Sequence, residues 1–516
     1  MLFRSQADVV IAVDVAYPKL PADQLDNLLA VVSQLTTLMV SENTERQIAS
    51  LAPGDVLLEP KLGIEFGSAD FDRIEEVIPL GFEAASSSSG RLTPYALDSK
   101  SYGEWRSGIN RCRSEPGDLQ FVRLENNSRF SDEVLMEKIR IQAGQSVNYE
   151  ELDRDIARIY GLGFIRTAQY RIVEENGETG VVIEVEQDKR GLDFIETGLN
   201  ISSGPRGSNL DLKAAYLKTD LNKRGAEFRG AIQVGEDAGL LAELYMPLDN
   251  RLRWILQPNI TATRRDIQAW DESGNLLAIV EAADYGTQIS FGREFGRHAG
   301  LFGSVARYAG KLDLRVGSPG FDPYRYDGGE WSIWGLYDRL DNRYIPSEGS
   351  IIRARYVSSR ENLGADQEFE QLELAFFSAF TRGAHTAWIG SRFDYSFQND
   401  LPIYALYTGG GFLSMSGFQR DELIGANFGM SLLGYRYRLT QSGFLPGYVG
   451  MTVEYGGASD RASDVYSDGT LNGSVYFAYD TPLGPMYLGY GWNEAQSGLF
   501  FLRFGTILGD QNIGRH

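Results

Sequence analysis

One cysteine, Cys112, stands in a chain of 516 residues, so no intrachain disulfide can staple the fold and cysteine usage leaves the redox compartment undecided. No run of about twenty apolar residues occurs, which excludes a transmembrane helix. Positive charge is scarce. Lys and Arg number 49 against 70 Asp and Glu, a formal net charge of −21, which argues against a nucleic-acid partner because that binding runs on surplus cations. No leader is expected in Met1-Leu2-Phe3-Arg4-Ser5-Gln6-Ala7-Asp8, which has no basic start and no small-residue cleavage site before an apolar strand begins. No Gly-x-Ser-x-Gly nucleophile elbow and no nucleotide-binding motif is spelled anywhere. No cofactor and no metal site is expected.

Glycine (58), tyrosine (27) and phenylalanine (27) are abundant, yet mean hydropathy is only −0.26. That combination fits strands in which every second residue is apolar; a large acidic soluble β-protein is the alternative. The last two thirds of the chain consist of such strands, each closed by a turn rich in Gly, Asp, Asn or Pro. In Leu499 to Leu508, one face carries Phe500, Leu502, Phe504, Thr506 and Leu508 and the other Leu499, Phe501, Arg503, Gly505 and Ile507. A period of two means different surroundings on the two faces, and about ten tilted residues cross a bilayer. Sixteen strands are expected, at 192–202, 207–218, 226–235, 238–247, 252–270, 275–292, 299–315, 328–339, 350–360, 367–381, 385–396, 426–438, 446–457, 470–480, 484–492 and 498–508. An even count lets a single-chain barrel close and removes the sheet edge that lipid would not tolerate. Arg353 and Arg355 alternate with Ile352, Ala354 and Tyr356, and Arg392 and Asp394 with Ile389, Ser391, Phe393 and Tyr395. The charged sets are expected to face an aqueous lumen.

Before the strands come two smaller regions. Asp8 to Val15 is a continuous β-branched run, the pattern of a buried parallel strand. An amphipathic helix over about Asp26 to Ser50 follows, with Leu28, Val32, Leu35, Leu38 and Met39 on its apolar side, then a short strand at Asp55 to Pro60 and a helix from a Ser68 cap to about Ala85. This order, with Ala7 to Asp14, resembles the C-terminal part of a patatin-like phospholipase domain. The resemblance implies a serine nucleophile, an aspartate base in an Asp-Gly-Gly motif and an oxyanion loop in a longer parent chain. Asp327-Gly328-Gly329 spells the aspartate motif, but over 300 residues too late, and reads as a turn entering a barrel strand. Asp14 reads as the end of a strand. The chain is therefore expected to be hydrolytically inactive, and its N-terminus to be a truncated start. Residues 91–117 read as linker, with a short helix at Tyr102 to Arg113 carrying Trp105 and Ile109.

Residues 118–190 spell β-α-α-β-β: a strand at Leu119 to Asn126, a Ser131-capped helix at Asp132 to Ile139, a helix at Tyr149 to Tyr160, and a hairpin of Phe164 to Val173 and Thr179 to Val185 around Glu175-Asn176-Gly177. Phe130 to Glu133, Ile141 to Gly144, and Leu152, Asp153, Ile156, Tyr160, Gly163 and Phe164 resemble a POTRA (polypeptide-transport-associated) domain. That resemblance implies a periplasmic module whose strand edges receive clients by β-augmentation; a spacer packed under the barrel is the competing reading.

With that module in the periplasm, the short connections fall on the periplasmic side and the long ones, notably 316–327 and 397–425, outside. Ala478 to Pro485 and Asp338 to Asn342 with Pro346 and Gly349 resemble turns of the surface-antigen barrels of assembly and two-partner secretion. Met415-Ser416-Gly417-Phe418 resembles that family's lid motif, with Ser416 in place of its arginine. The resemblance implies an acidic lumen partner, for which Glu454 is the candidate and Arg420 the substitute cation.

The domains are thus read as 1–90 patatin-like fragment, 91–117 linker, 118–190 POTRA-like and 191–516 barrel: a mainly β chain with a 16-stranded transmembrane β-barrel. The whole resembles the patatin-fused subclass of type V secretion proteins. That implies an outer-membrane translocator that exports its own N-terminal passenger, with outer-membrane lipids, barrel-assembly machinery and periplasmic chaperones as partners; homo-oligomerisation is left open. Two alternatives stand beside it: a lipid acyl hydrolase in a full-length parent, and an outer-membrane assembly factor.

Overall fold

The computed structural model describes residues 8–16, 18–19, 21, 28–63, 66, 73–111, 118–163, 165–187, 193–204, 207–235, 237–270, 276–317, 323–342, 344–439, 446–481, 484–494 and 498–505. The chain divides near residue 115 into two compact units.

The first unit runs β1 (Ile11–Val13), α1 (Leu28–Ala49), β2 (Val56–Leu58), α2 (Ile74–Ser87), α3 (Ser89–Leu92) and α4 (Ser99–Arg111). β1 lies parallel to β2, pairing Ile11 with Val56 and Val13 with Leu58. The Asp55 carboxylate accepts from Val10 N at 2.9 Å and Ala52 N at 2.6 Å, which ties the two strands at their start. The expected burial of the first strand is corrected: Val56 and Leu58 are buried, but Ile11, Val13 and Val15 are more than half exposed. Among the described residues the sheet has two strands only, so nothing covers its β1 side. Asp14 ends the strand, donating its N–H to Leu58 O and accepting from Ala16 N. On α1, Leu35 and Leu38 are exposed rather than packed. Ser68, Cys112 and the side chains of Leu28, Val32 and Met39 lie outside the described residues. The stretch read as linker carries α4, with Tyr102 and Trp105 exposed on it.

The second unit begins with β3 (Phe121–Asn127), α5 (Asp132–Met136), α6 (Tyr149–Tyr160), β4 (Ile165–Glu175) and β5 (Glu178–Gln187), the expected β-α-α-β-β order. Ser131 caps α5 by accepting from Val134 N, and Asn148 caps α6 by accepting from Glu151 N. β5 is central, parallel to β3 and antiparallel to β4. Asn176 and Gly177 both have positive φ, which the tight hairpin between β4 and β5 requires. Leu135, Leu152, Ile159, Val181 and Ile183 fill the core. Asp155, fully buried, accepts from Arg140 N and Ile141 N and pairs with Arg158, pinning the loop after α5 to α6.

The barrel strands are β6 (Asp193–Gly204), β7 (Gly207–Lys218), β8 (Glu227–Gly235), β9 (Ala238–Pro247), β10 (Trp254–Trp270), β11 (Leu276–Phe295), β12 (Ala299–Val316), β13 (Tyr324–Asp338), β14 (Gly349–Ser359), β15 (Phe369–Arg382), β16 (His385–Ser396), β19 (Asn427–Arg438), β20 (Gly447–Ser459), β21 (Thr470–Thr481), β22 (Gly484–Asn493) and β23 (Leu499–Phe504). Between β16 and β19 a separate hairpin forms from β17 (Tyr407–Gly409) and β18 (Leu423–Gly425). The sixteen strands pair antiparallel into a closed barrel, β23 closing on β6 through Phe500–Ser203 to Phe504–Leu199. Thr506 to Leu508 and the turn residues 441–443 and 482–483 lie outside the described residues.

Alternation sorts the side chains as expected. Leu301, Val305, Ile333, Ile389, Leu433, Val453, Phe477, Leu488 and Phe500 stand exposed on the outer wall, while Phe302, Ala306, Leu432, Tyr476 and Phe501 are buried inside. Arg355 faces inward and pairs with Glu330 at 3.0 Å and Glu373 at 3.6 Å. Arg392 pairs with Asp394 at 2.5 Å. One placement is corrected: Asp327-Gly328-Gly329 lies within β13, not in a turn before it. A Cβ on Gly328 would sit 2.0 Å from the Tyr308 ring and one on Gly329 2.2 Å from Leu363 O, so both glycines make room inside the wall.

Candidate functional site

The segment between β16 and β19, residues 397–426, is the site the fold is built around. It folds into the barrel lumen as the β17–β18 hairpin with a tight tip. Gly410 and Gly411 (φ 120° and 90°) start the tip, and a Cβ on Gly410 would meet Gln419 O at 1.8 Å. Three non-glycine residues of the tip also take left-handed backbone: Leu413 (φ 63°), Met415 (φ 76°) and Asp421 (φ 58°). Such a backbone persists only where its surroundings hold it.

Two anchors do so. The first joins Ser416 to Glu454 on β20. Ser416 donates its N–H to Glu454 Oε2 and its hydroxyl to Oε1, each at 2.5 Å, and Thr452 Oγ1 donates to Oε1 at 2.9 Å. Ser416 and Glu454 are both fully buried. Gly417 donates to Asn472 Oδ1 at 3.2 Å and accepts from Asn493 Nδ2 at 3.0 Å. A Cβ on Gly417 would lie 2.4 Å from the Trp492 backbone, so only glycine fits against the wall.

The second anchor is Arg420. Its guanidinium pairs with Asp211 on β7 at 2.7 Å, with Asp237 at the β8–β9 connection at 2.6 Å and with its neighbour Asp421 at 3.5 Å. The sequence reading of Arg420 as a substitute partner for Glu454 is therefore corrected. Ser416 itself occupies Glu454, and Arg420 reaches a different stretch of wall. Among the described residues Glu454 makes no salt bridge. Asp211, Asp237, Asn472 and Asn493 were not singled out from sequence, because nothing local marks a wall residue as the partner of a distant loop.

Apolar packing completes the lid. Met415 and Phe418 are buried, and Phe412 stacks on Phe501 at 4.2 Å and meets Tyr476 and Tyr487 at 5.3 and 5.5 Å. Behind the lid base a cavity of about 80 Å³ remains between Tyr404 and the β10–β15 wall, with Arg265, Asp284, Glu330 and Arg355 in its lining. Although a serine and a carboxylate touch here, the pair is no nucleophile and base. Ser416 Oγ also accepts from Leu413 N at 3.1 Å, and Ser416 and Glu454 are both fully buried, out of reach of a substrate carbonyl. The site holds a segment in place.

The POTRA-like module seats on the barrel turns. Ser131 N donates to Lys223 O at 3.0 Å, and a Cβ on Gly225 would come within 2.8 Å of the Phe130 ring. Leu252, with φ 57°, packs into the module's own core. Arg251 pairs with Glu137 at 3.0 Å, and Gln187 bonds Asp220.

Comparison with known proteins agrees with these features. Residues 119–188 match the POTRA model, described as "Surface antigen variable number repeat". Residues 220–504 match the Omp85 superfamily domain, more than half of the chain. The chain belongs to the Omp85 superfamily, and so is an outer-membrane barrel with a periplasmic POTRA domain. No curated protein matches the sequence. Among solved structures, BamA from Haemophilus ducreyi lacking POTRA domains 1–3 aligns with a TM-score of 0.57 at 15% identity, over 76% of this chain and 84% of that one. CdiB from Escherichia coli aligns at 0.51 and 11% identity, over 76% of each chain. CdiB from Acinetobacter baumannii aligns at 0.50 and 11%, over 76% and 74%. These likenesses concern the fold.

Proposed function

We propose that this chain is an outer-membrane translocator in which the POTRA domain receives an extended polypeptide and the barrel passes it across or into the membrane. The observation that carries this reading is the lid. It occupies the lumen of a closed barrel and is held entirely by non-covalent contacts that an entering strand can replace. Each buried charged hydrogen bond is worth about 1.5–3 kcal/mol, so stepwise exchange needs no nucleotide. The outer edge of β4 leaves one row of backbone groups without a strand partner among the described residues. A client adding there makes backbone hydrogen bonds and tolerates many sequences.

Within that reading, the finer assignment is a patatin-fused type V secretion protein whose client is the segment ahead of its own POTRA domain. Its support is the parallel β1–β2 pair together with the Ala7 to Asp14 resemblance. In domain terms, residues 1–90 are the patatin-like part, 91–117 the connection, 118–190 the POTRA domain and 191–516 the barrel. With no Gly-x-Ser-x-Gly in the sequence, this chain is assigned no hydrolysis.

The test is export of the full chain with a cleavable leader and an epitope ahead of residue 8. Surface exposure of the epitope, lost when the lid is fixed by an engineered crosslink, is the expected result. An epitope confined to the periplasm, with faster insertion of unrelated barrels into vesicles containing the protein, would replace this reading with an assembly factor. Lipid-ester hydrolysis above background would overturn the assignment of no hydrolysis.

A further inference from the structure

The periplasmic turns differ in a way their strands do not require. β15 and β16 are joined by Gly383 and Ala384 alone. Between β13 and β14 the ladder continues through Arg339 N to Ser350 O and Asp341 N to Glu348 O, where two residues would suffice to close it. Instead the chain continues into a tip whose described residues are Asn342 and Tyr344 to Ser347. It is pre-shaped from within: Asn342 Oδ1 accepts from Tyr344 N and Ile345 N, and Asp341 Oδ1 from Ser347 N and Glu348 N. The tip enters the lumen. Ile345 is 3% exposed and shares one apolar cluster with Trp388, Tyr476 and Tyr487 of the wall and Phe412 and Met415 of the lid.

Arg436, inward-facing on β19, holds it there. Its guanidinium donates to Pro346 O at 2.7 Å, Ser347 Oγ at 2.9 Å and Ile345 O at 3.4 Å. Its guanidinium carbon lies over the Trp388 ring at 5.6 Å and the Tyr448 ring at 5.0 Å. It is 4% exposed, and among the described residues it makes no salt bridge. A buried cation without a paired carboxylate is costly unless acceptors meet it; here Nη2 alone faces three acceptors of the tip, while Nε has no hydrogen-bond partner among the described residues. Tyr487 OH donates to Tyr344 O at 3.3 Å and Thr381 Oγ1 to Ser347 O at 2.7 Å.

We propose that the β13–β14 tip is a second plug, entering from the periplasmic mouth, and that Arg436 is the positioning residue that keeps it seated. The proposal rests on the reading of the barrel as a polypeptide conduit. Lid and tip close the lumen in series and meet on one aromatic floor, so release of the lid alone leaves the conduit shut.

The experiment is conductance of the refolded full chain in planar lipid bilayers, folding being checked by heat-modifiable gel mobility. The lid is released by Glu454→Ala with Arg420→Ala. The tip is released by Arg436→Ala or, keeping Arg436 and the strand register, by replacing 342–347 with Asn-Gly. Two closures in series predict that joint release raises the conducting fraction on the order of tenfold over either release alone. Arg436→Lys in the lid-released protein falls between, since an ammonium keeps the charge and the donors but gives up the guanidinium's contact over the Trp388 and Tyr448 rings. If lid release alone reaches the level of joint release, the second plug is overturned while the conduit reading stands. If the Asn-Gly replacement opens the lid-released barrel but Arg436→Ala does not, the role of Arg436 is overturned. A protein silent under joint release overturns the conduit reading, and the plug with it.

Discussion

Ser416 and Glu454 form a two-point contact in which one residue supplies both donors, a backbone N–H and a hydroxyl, to the two oxygens of one fully buried carboxylate. The lid is therefore latched without a cation, and half of the latch is main chain. Glu454→Gln keeps the volume but turns an NH₂ group toward those donors. The expected loss is about 1–3 kcal/mol of lid anchoring, read as faster hydrogen exchange at residues 410–422. Ser416→Ala removes one donor only and is expected to cost less than Glu454→Gln. Equal exchange in all three proteins would refute the latch.

Arg420 provides an independent hold on another stretch of the wall. Because its fork engages Asp211 and Asp237 together, Arg420→Ala and Asp211→Asn act on one network and should not add. An interaction energy of roughly 0.5–3 kcal/mol is expected in the double-mutant cycle, measured by protease nicking of the lid. Glu454→Gln combined with Arg420→Ala should instead be close to additive, since the two anchors share no partner.

Much of this architecture is legible in the sequence, for a physical reason. A barrel wall separates lipid from lumen, so period-two alternation is imposed on every strand, and the sixteen expected strands fall within a few residues of the observed ones. The lid was also legible, as the one long glycine-rich connection carrying Met415 to Phe418. What was hidden is pairing across the lumen. Arg420 and Asp211 lie 209 residues apart, and the N–H of Ser416 has no signature at all. Asp327 to Gly329 misled because glycines that make room inside the wall, Gly328 for the Tyr308 ring and Gly329 for the Leu363 backbone, spell the same letters as a turn.

The POTRA domain is pegged to the barrel by Leu252, whose side chain belongs to the domain's core although its backbone belongs to a barrel turn. Leu252→Ser removes partly buried apolar area, about 1–2 kcal/mol. It is expected to speed exchange at Arg129 to Leu135 while leaving β19 to β22 protected. Gly225→Val should act in the same direction, because a Cβ there clashes with Phe130 on a backbone of φ 74°.

The outer face of the POTRA sheet carries a charge ladder. Arg123 bonds Glu175 at 2.6 Å, and Arg171 bonds Glu184 at 2.6 Å and Glu125 at 3.2 Å. Hydrogen bonds from Arg123 and from Arg171 hold Glu175 and Glu184, respectively, below the ordinary glutamate range. A lowered carboxylate stabilises the fold above its unfolded pKa, and that contribution fades as pH falls through the folded one. Protection of β4 and β5 amides, corrected for intrinsic exchange, should thus be flat from pH 8 to about 5 and fall below about 4.5. Arg171→Ala should flatten that acid limb; protection rising toward low pH would contradict the ladder.

The outer wall makes the sharpest demand on the environment. Leu433 is 61% exposed on β19, while its neighbour Leu432 is 5% exposed and points inward. On a water-facing wall, Leu433→Arg would be neutral or favourable. On a lipid-facing wall an arginine near mid-bilayer costs about 2–4 kcal/mol, so urea titration of folding into phosphatidylcholine vesicles should show the midpoint drop by the corresponding amount. Leu432→Arg loses lumen packing instead, and its cost should persist in detergent micelles of any thickness. The Leu433→Arg cost should grow with bilayer thickness as the site moves further from the nearest interface. A Leu433→Arg protein that folds as stably in thick bilayers as wild type would place that face in water and end the membrane-barrel reading for this stretch of wall.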